Sequence, residues 1–237
     1  MAACGARAAA GDTCRRIYQC RFSPELHAAI EGFSQRAGRS RLGRWPKYEN
    51  RIPLGRRPKQ RLELLHELLP KARVMALLVD PTDPTNAKTT VSEVTAAAKT
   101  FGLQLHVLNA SNENDFAGVF AKLIQLGASG LVVGGGAFFV SHEEQLAALT
   151  VRHAVPAASE HREFAAAGGL LSYGTDITDA YRLTGIYTGR ILRGDKPAEL
   201  PVQRATKVEL YINLNTAKAL GLSVPPALQA RADGMIE

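Results

Sequence analysis

The sequence predicts an α/β protein built on a parallel β-sheet. Short apolar segments alternate with amphipathic segments about five times between residues 61 and 175. Such alternation is typical of parallel strands that are joined by helices in right-handed crossovers. The composition agrees with a globular protein, because hydrophobic residues make up 46% of the 237 residues and charged residues 22%. No apolar run approaches the roughly 20 residues that span a bilayer.

Charge separates the first 60 residues from the rest of the chain. Residues 1–60, here called the head, hold 13 basic and 4 acidic residues, a net charge of +9, whereas the whole chain carries +7. The remaining residues, the body, are therefore slightly acidic. All three cysteines and the single tryptophan also lie in the head. The two parts consequently need separate interpretations.

The head admits several interpretations. Clustered arginines would suit a nucleic-acid-binding arm, since they neutralise phosphates. The cysteines are separated by nine and by five residues, unlike the close pairs of a zinc site. The charged start and unbroken apolar stretch of an export signal are absent. The lack of apolar periodicity favours a basic, poorly ordered tail, or sequence that is not native to the body, such as a shifted reading frame gives in GC-rich DNA.

Apolar spacing predicts the elements of the body in turn. Leucines at helical spacing before Pro70 predict a helix at 61–69, and the apolar run at 74–79 predicts a buried strand. Gly102 ends a helix at 85–101, because glycine readily takes the left-handed conformation of a C-cap. The same criteria predict a strand at 103–108, a helix at 112–126, a strand at 130–133, a helix from Ser141 to residue 153 with Glu144 as partner of the capping serine, a strand at 155–159, a helix at 160–166 and a strand at 170–172.

The pattern changes after residue 175. A long helix is predicted at 176–192, with Tyr181, Thr184 and Ile191 at core spacing. Residues 208–213 alternate in polarity like an exposed or edge strand. Two closing helices are predicted at 215–220 and 226–232.

The candidate binding site follows from the predicted sheet. Ligands of open parallel sheets bind beyond the carboxyl ends of the strands. There Asp80 would meet a ligand amino group and Asn86 its polar atoms, while backbone N–H groups at a helix entrance would receive a carboxylate. Tyr173 would stack on the ligand or hydrogen-bond to it. The full candidate set is Asp80, Pro81, Asn86, Gly135, Ala137, Ser159, Glu160, Tyr173 and Gly174.

Three of these candidates have structural alternatives. The segment at Asp80 would equally serve as a helix-capping loop, the glycines before Ala137 as a tight turn, and Tyr173 as a packed hinge residue. A dinucleotide-binding fingerprint is excluded, because Phe139 occupies the position of its third glycine.

Catalytic and metal-binding constellations are incomplete. Ser159 or Ser172 could pair with His161, but no Gly-x-Ser-x-Gly turn is present. Glu160, His161 and Glu163 lack the i, i+4 pairing that puts two metal ligands on one helix face. We therefore expect a binding protein that is not an enzyme and that holds no metal and no cofactor.

Several separated motifs of the body resemble a single family. They are QRLELLHE at 60–67, LHVLNA at 105–110, EFAAAGG at 163–169, LSYGT at 171–175, YTGRIL at 187–192 and INLNTAKALGL at 212–222. Together they resemble the ABC-transporter substrate-binding proteins of the tryptophan/tyrosine-binding type, which have a type I periplasmic binding fold. The resemblance extends over residues 61–237. It implies two α/β lobes around a cleft that a hinge closes on an amino acid or similar solute, and a transporter permease as partner.

The resemblance also predicts the organisation of this chain. Residues 61–175 correspond to the second α/β lobe and residues 176–237 to a C-terminal segment that returns to the first lobe, most of which is missing. The helix at 176–192 should then show its apolar face. Relatives are periplasmic, whereas this chain, without a signal peptide, is expected in the cytoplasm if expressed as written. The alternative function is a ligand-sensing transcription regulator with the head as its DNA-binding part, although we expect no nucleic-acid partner.

Overall fold

The structure, a computed structural model, describes residues 57–201 and 207–237. The predictions made for residues 1–56, including poor order and the nucleic-acid-binding arm, lie outside the described residues. The first helix of the described residues begins at Pro58, three residues before the predicted start of the body at residue 61.

Seven strands form one sheet in the described part of the chain. In chain order they are β1 (Val74–Val79), β2 (Gln104–Asn109), β3 (Leu131–Val133), β4 (Ala157–Ser159), β5 (Leu171–Thr175), β6 (Val208–Asn213) and β7 (Gly234–Ile236). Their spatial order is β2-β1-β3-β4-β5-β6-β7. The strands from β2 to β5 are parallel to their neighbours, β6 is antiparallel to β5, and β7 is parallel to β6. The predicted α/β class with a mostly parallel sheet is confirmed.

Helices connect the strands and cover both faces of the sheet. The described α-helices are α1 (Pro58–Leu68), α2 (Pro84–Thr100), α3 (Asp115–Gln125), α4 (Ala137–Ser141), α5 (Glu143–Arg152), α6 (Arg162–Ala166), α7 (Ile177–Leu192), α8 (Leu214–Ala219) and α9 (Pro226–Gln229), and a 3₁₀ turn lies at Pro197–Glu199. No described helix has both the length and the apolar character that crossing a membrane requires.

Two apolar cores lie on opposite faces of the sheet. Strand β1 shows how one sequence supplies both, because Leu77 belongs to the first core and Leu78 to the second. The first core receives the buried faces of α1, α2 and the C-terminal helices, including Leu65 and Leu228. The second core is rich in phenylalanine, with Phe120 from α3 packed among residues of α5 and α6. Burial on both faces explains the unbroken apolar run of β1.

The prediction of one helix from Ser141 to residue 153 is wrong at the N-terminal end of that helix. Two helices, α4 and α5, meet at His142. Ser141 is the last residue of α4, where its hydroxyl donates to the carbonyl oxygen of Phe138 at 2.8 Å, and no side chain caps the start of α5. The Ser-x-x-Glu pattern is therefore present in the sequence without forming a capping box.

Two other predicted positions differ from the structure. Tyr173 lies within β5 rather than after it, and the predicted last helix ends at Gln229.

The C-terminal segment contributes two strands to the same sheet. Strands β6 and β7 continue the sheet beyond β5, and their residues Leu210 and Ile212 are buried in the first core. Residues 208–237 therefore share one sheet and one core with residues 61–175. The predicted boundary between residues 175 and 176 does not separate two sheets. Alternating polarity predicts β6, but the three-residue strand β7 carries no local signal and depends on its pairing with β6.

Helix α7 differs from its neighbours because none of its residues is buried. The exposed fractions are 67% for Tyr181 and 69% for Leu192, which lie on one stripe of the helix. The expected exposure of an apolar face is therefore confirmed, and the predicted burial of Tyr181, Thr184 and Ile191 in a core is wrong. Exposed apolar surface of this kind favours association.

We expect the protein to self-associate through this stripe. Sedimentation velocity should show a weight-average mass that rises with concentration, and the double substitution Tyr181→Lys with Leu192→Lys should abolish most of that rise. Ala96→Lys, which adds a charge at an exposed position of α2, is the control and should leave the association unchanged. A mass independent of concentration in the wild-type protein would contradict the prediction.

Candidate functional site

The candidate residues lie along one edge of the sheet. Strands β1, β3, β4 and β5 are adjacent and parallel, so their carboxyl ends meet at the same edge. Asp80 follows β1, the glycines 134–136 follow β3, and Glu160 follows β4. Tyr173 and Gly174 occupy the last part of β5. The sheet thus brings the predicted site to one side of the protein.

Asp80 shapes the loop that follows β1. Its Oδ1 accepts hydrogen bonds from the backbone N–H of Thr82 at 2.8 Å and from the Thr82 hydroxyl at 2.6 Å. The half-buried carboxylate therefore has local partners, while Pro81 is exposed. The helix cap is supplied by Asp83 instead, which accepts from the backbone N–H of Asn86 at 3.1 Å.

Asn86 joins this loop to the glycine turn after β3. Its side-chain amide donates to the carbonyl oxygen of Gly135 at 2.5 Å. The preceding Gly134 packs so closely that a Cβ there would lie 2.7 Å from the carbonyl oxygen of Leu78. Gly135 is buried and Ala137 is exposed at the start of α4. The tight-turn role of these glycines is thus directly visible.

Glu160 lies beside a buried arginine at the end of β4. The Arg61 side chain is fully buried, and its Nη1 lies 4.0 Å from Glu160 Oε2 and donates to the carbonyl oxygen of Tyr173 at 3.3 Å. The arginine therefore links the β4 and β5 ends. Sequence reasoning missed Arg61, because arginine is seldom fully buried; the one signal was its position four residues before Leu65, on the apolar stripe of α1.

Gly174 allows the β4 and β5 ends to approach each other. A Cβ on Gly174 would overlap the backbone carbonyl oxygen of Glu160 and would lie 2.8 Å from Glu160 Cγ. Tyr173 is half-buried and its ring packs against the first core. Tyr173 is therefore a packed residue, and both its hinge role and its ligand contact stay predictions.

Ser159 is buried and paired with a residue that sequence reasoning missed. Its hydroxyl donates to Oε1 of Glu143, which is only 4% exposed, at 3.2 Å. Burial raises the pKa of the Glu143 carboxyl to about 8, against the hydrogen bond from Ser159, which lowers it. The charge of Glu163 raises the pKa further. Glu143 is one of two consecutive glutamates before an apolar helix, and the sequence offers no sign of which one turns inward.

The chain leaves the sheet at Asp176, which is tied to the returning strand. Asp176 caps α7 by accepting from the backbone N–H groups of Thr178 and Asp179. Lys207 donates to its other carboxylate oxygen at 2.6 Å. The hydrogen bond from Lys207 holds the pKa of Asp176 below its usual range, and the same pair raises the pKa of Lys207. This ion pair joins the two points at which the chain departs from and rejoins the sheet.

Two depressions adjoin this edge. The smaller, about 20 Å³, is lined by residues that include Glu160, Gly174 and Thr175. The larger, about 590 Å³, is lined by residues that include Glu143 and Tyr181. Of the predicted site residues, Glu160 and Gly174 line the smaller depression, whereas neither depression is lined by Asp80, Pro81, Asn86, Gly135, Ala137, Ser159 or Tyr173. Within the described ranges no group of three potential metal ligands is assembled.

Comparison with known protein families shows to which family this chain belongs. The profile described as ABC transporter substrate binding protein matches residues 56–236. The chain belongs to this family. The match begins just before α1 and ends in β7, so it includes the whole described lobe. The predicted resemblance is therefore confirmed, and the family is one of substrate-binding rather than catalytic proteins.

Solved structures show the same fold. An ABC-domain structure from Streptococcus pneumonia in complex with L-Trp is 24% identical, with a TM-score of 0.67, over 76% of this chain and 60% of that one. A conserved domain protein from Vibrio cholerae is 23% identical, with the same TM-score and coverage. A substrate-binding protein with adhesive properties from Clostridium difficile is 20% identical, with a TM-score of 0.52, over 75% of this chain and 59% of that one. This family member thus spans about 60% of the length of these structures. The search of the curated proteins found no match.

Proposed function

We propose that this chain binds a small solute for an ABC uptake transporter, and that the solute is an amino acid or a similar amphipathic carboxylate. The convergence of Arg61, Glu160 and Tyr173 at the carboxyl edge of the sheet carries the proposal. Open α/β sheets bind ligands at this edge. The carboxylate of Glu160 and the ring of Tyr173 would offer a negative charge and apolar surface to the amino group and side chain of an amphipathic solute, while buried Arg61 holds these two residues in place from behind.

The proposed site lies in a cleft between two lobes. Residues 61–175, completed by residues 208–237, form the second lobe, and α7 leads toward the first. The glycine turn at Gly135 and Ala137, together with Asp80, Pro81 and Asn86, borders the same cleft. The proposed partners are the solute and a transporter permease, and the proposed place of action is the periplasm. These assignments rest on the family match and on the position of the strand ends.

Ligand-observed NMR with a panel of amino acids tests the proposal. The full chain should give saturation-transfer signals with at least one aromatic or branched-chain amino acid at millimolar concentration. Tyr173→Ala should remove these signals. Tyr187→Ala is the control, because Tyr187 lies on α7 rather than at a strand end, and its hydroxyl donates to the carbonyl oxygen of Pro201. Signals that are equal in wild type and Tyr173→Ala would refute the proposed position, and no signal from any amino acid would refute the proposed solute class.

A second candidate function rests on the basic head. Its net charge of +9 would suit DNA, and a ligand-sensing lobe fused to a DNA-binding part would act as a transcription regulator. Titration of labelled duplex DNA at several salt concentrations separates the two functions. Sequence-selective binding that responds to an amino acid would favour the regulator, and binding that is weak and lost at moderate salt would disfavour it.

A further inference from the structure

The carboxyl group of Glu143 braces the segment that carries Glu160. It accepts from the hydroxyl of Ser159 at 3.2 Å and from the backbone N–H of His161. These two residues flank Glu160 on both sides. Glu143 itself is the first residue of α5 and is almost completely buried. A single side chain therefore fixes the turn from β4 toward α6.

The surroundings of Glu143 disfavour a negative charge. Glu160 and Glu163 lie close enough for their charges to oppose its ionisation. Each of them has a cation nearby, since Arg61 lies 4.0 Å from Glu160 and Arg162 lies 3.5 Å from Glu163. The other titratable groups that line the larger depression with Glu143 are His142, Glu144, His161 and Tyr181. Burial is the largest influence, and it raises the pKa of Glu143 to about 8.

The larger depression gives the ionised carboxylate access to water. Glu143 lines this opening of about 590 Å³, so open space connects its side chain with solvent while α5 stays folded. In that space the carboxylate would regain hydration and would leave Ser159 and His161. Two arrangements of one side chain are thus available, and protonation decides between them.

We propose that Glu143 is a positioning residue whose neutral carboxyl holds the Ser159–His161 turn and whose ionised carboxylate swings into the larger depression and releases it. The proton lost in this step goes to solvent. Because the turn carries Glu160, the switch would regulate solute affinity, and this consequence rests on the proposed function. The positioning role itself concerns only the described residues.

Backbone amide NMR of the full chain without solute tests the switch. Between about pH 6 and pH 10 the signals of residues 159–163 should shift with a midpoint at or below the pKa of about 8 that burial gives the carboxyl in place, because release to water favours ionisation, while the signals of α2 stay constant. Glu143→Gln retains the shape of the neutral carboxyl and should abolish this transition in the signals of residues 159–163. Ser159→Ala removes a hydrogen bond that, in this switch, only the neutral inward carboxyl makes, and should therefore move the midpoint to lower pH, which keeps the test decisive if Glu143→Gln does not fold. A move to higher pH would show that the ionised carboxylate keeps this hydrogen bond and does not leave, which would overturn the inference.

The possible outcomes test the role of Glu143 separately from solute binding. A titration in wild type that persists unchanged in Glu143→Gln, or the absence of any titration of residues 159–163 in wild type, would overturn the inference. Solute binding, measured at the lowest and highest pH of the series, should weaken at high pH in wild type and remain constant in Glu143→Gln. If no amino acid binds at any pH, the proposed function fails, while the amide signals still decide the role of Glu143.

Discussion

Joining residues 57–237 to the first lobe of a solute-binding relative should raise solute affinity about a thousandfold. A cleft gains affinity because two lobes enclose the solute and remove water from both of its sides. If an enclosed solute is held by about −8 kcal/mol, a dissociation constant near 1 µM, then contacts from one lobe alone, about half of that free energy, leave roughly 1 mM. Isothermal titration calorimetry of the chimera and of the original chain, side by side, measures the difference.

Two comparisons make the chimera informative. Tyr173→Ala within it should weaken binding at least tenfold, which is roughly 1.4 kcal/mol. Tyr187→Ala should not weaken it, because Tyr187 lies on α7 rather than at a strand end, where its hydroxyl donates to the carbonyl oxygen of Pro201. Micromolar binding by the original chain alone would show that the second lobe is sufficient and that enclosure contributes little.

The fold could be predicted from the sequence where local patterns decide it. The apolar run of β1 and the alternation of β6 predict strand bounds that match the structure. A strand that is buried on both faces has a continuous apolar sequence, whereas a strand that is buried on one face alternates between apolar and polar residues. The division into α4 and α5 could not be predicted, since a serine followed three residues later by a glutamate satisfies the capping pattern without forming it. Strand β7 depends on a partner 23 residues earlier in the chain, since Gly234 pairs with Tyr211.

The positions of the candidate site residues could be predicted only where the course of the backbone decides them. Glu160 and Gly174 line a depression because parallel strands bring their carboxyl ends to one edge, and their contact with a ligand stays a prediction. Arg61 and Glu143 were missed for a different reason. Both are charged side chains that the tertiary structure buries, and a sequence pattern places such residues on the surface. Their partners, Tyr173 and Ser159, lie 112 and 16 residues away along the chain.

Gly174→Ala should destabilise the lobe by about 3 kcal/mol, at the upper end of the usual cost of overpacking. The added Cβ would overlap the carbonyl oxygen of Glu160, and a backbone atom cannot rotate away as a flexible side chain can. Relief requires the ends of β4 and β5 to separate, although Ser159 and Ser172 pair across these strands and Gly174 pairs with Glu209 of β6. For a unit of this size the melting temperature should fall by roughly 6–12 °C.

Gly118→Ala is the matched control, and its expected effect has the opposite sign. Gly118 lies inside α3 with nothing within 4 Å of its added Cβ, so alanine should stabilise the helix by about 0.5–1 kcal/mol through its higher helix propensity. Urea unfolding followed by circular dichroism measures both variants. Equal stability of wild type and Gly174→Ala would mean that the two strand ends are farther apart than described. In that case Glu160 would not be held at the cleft by its approach to β5.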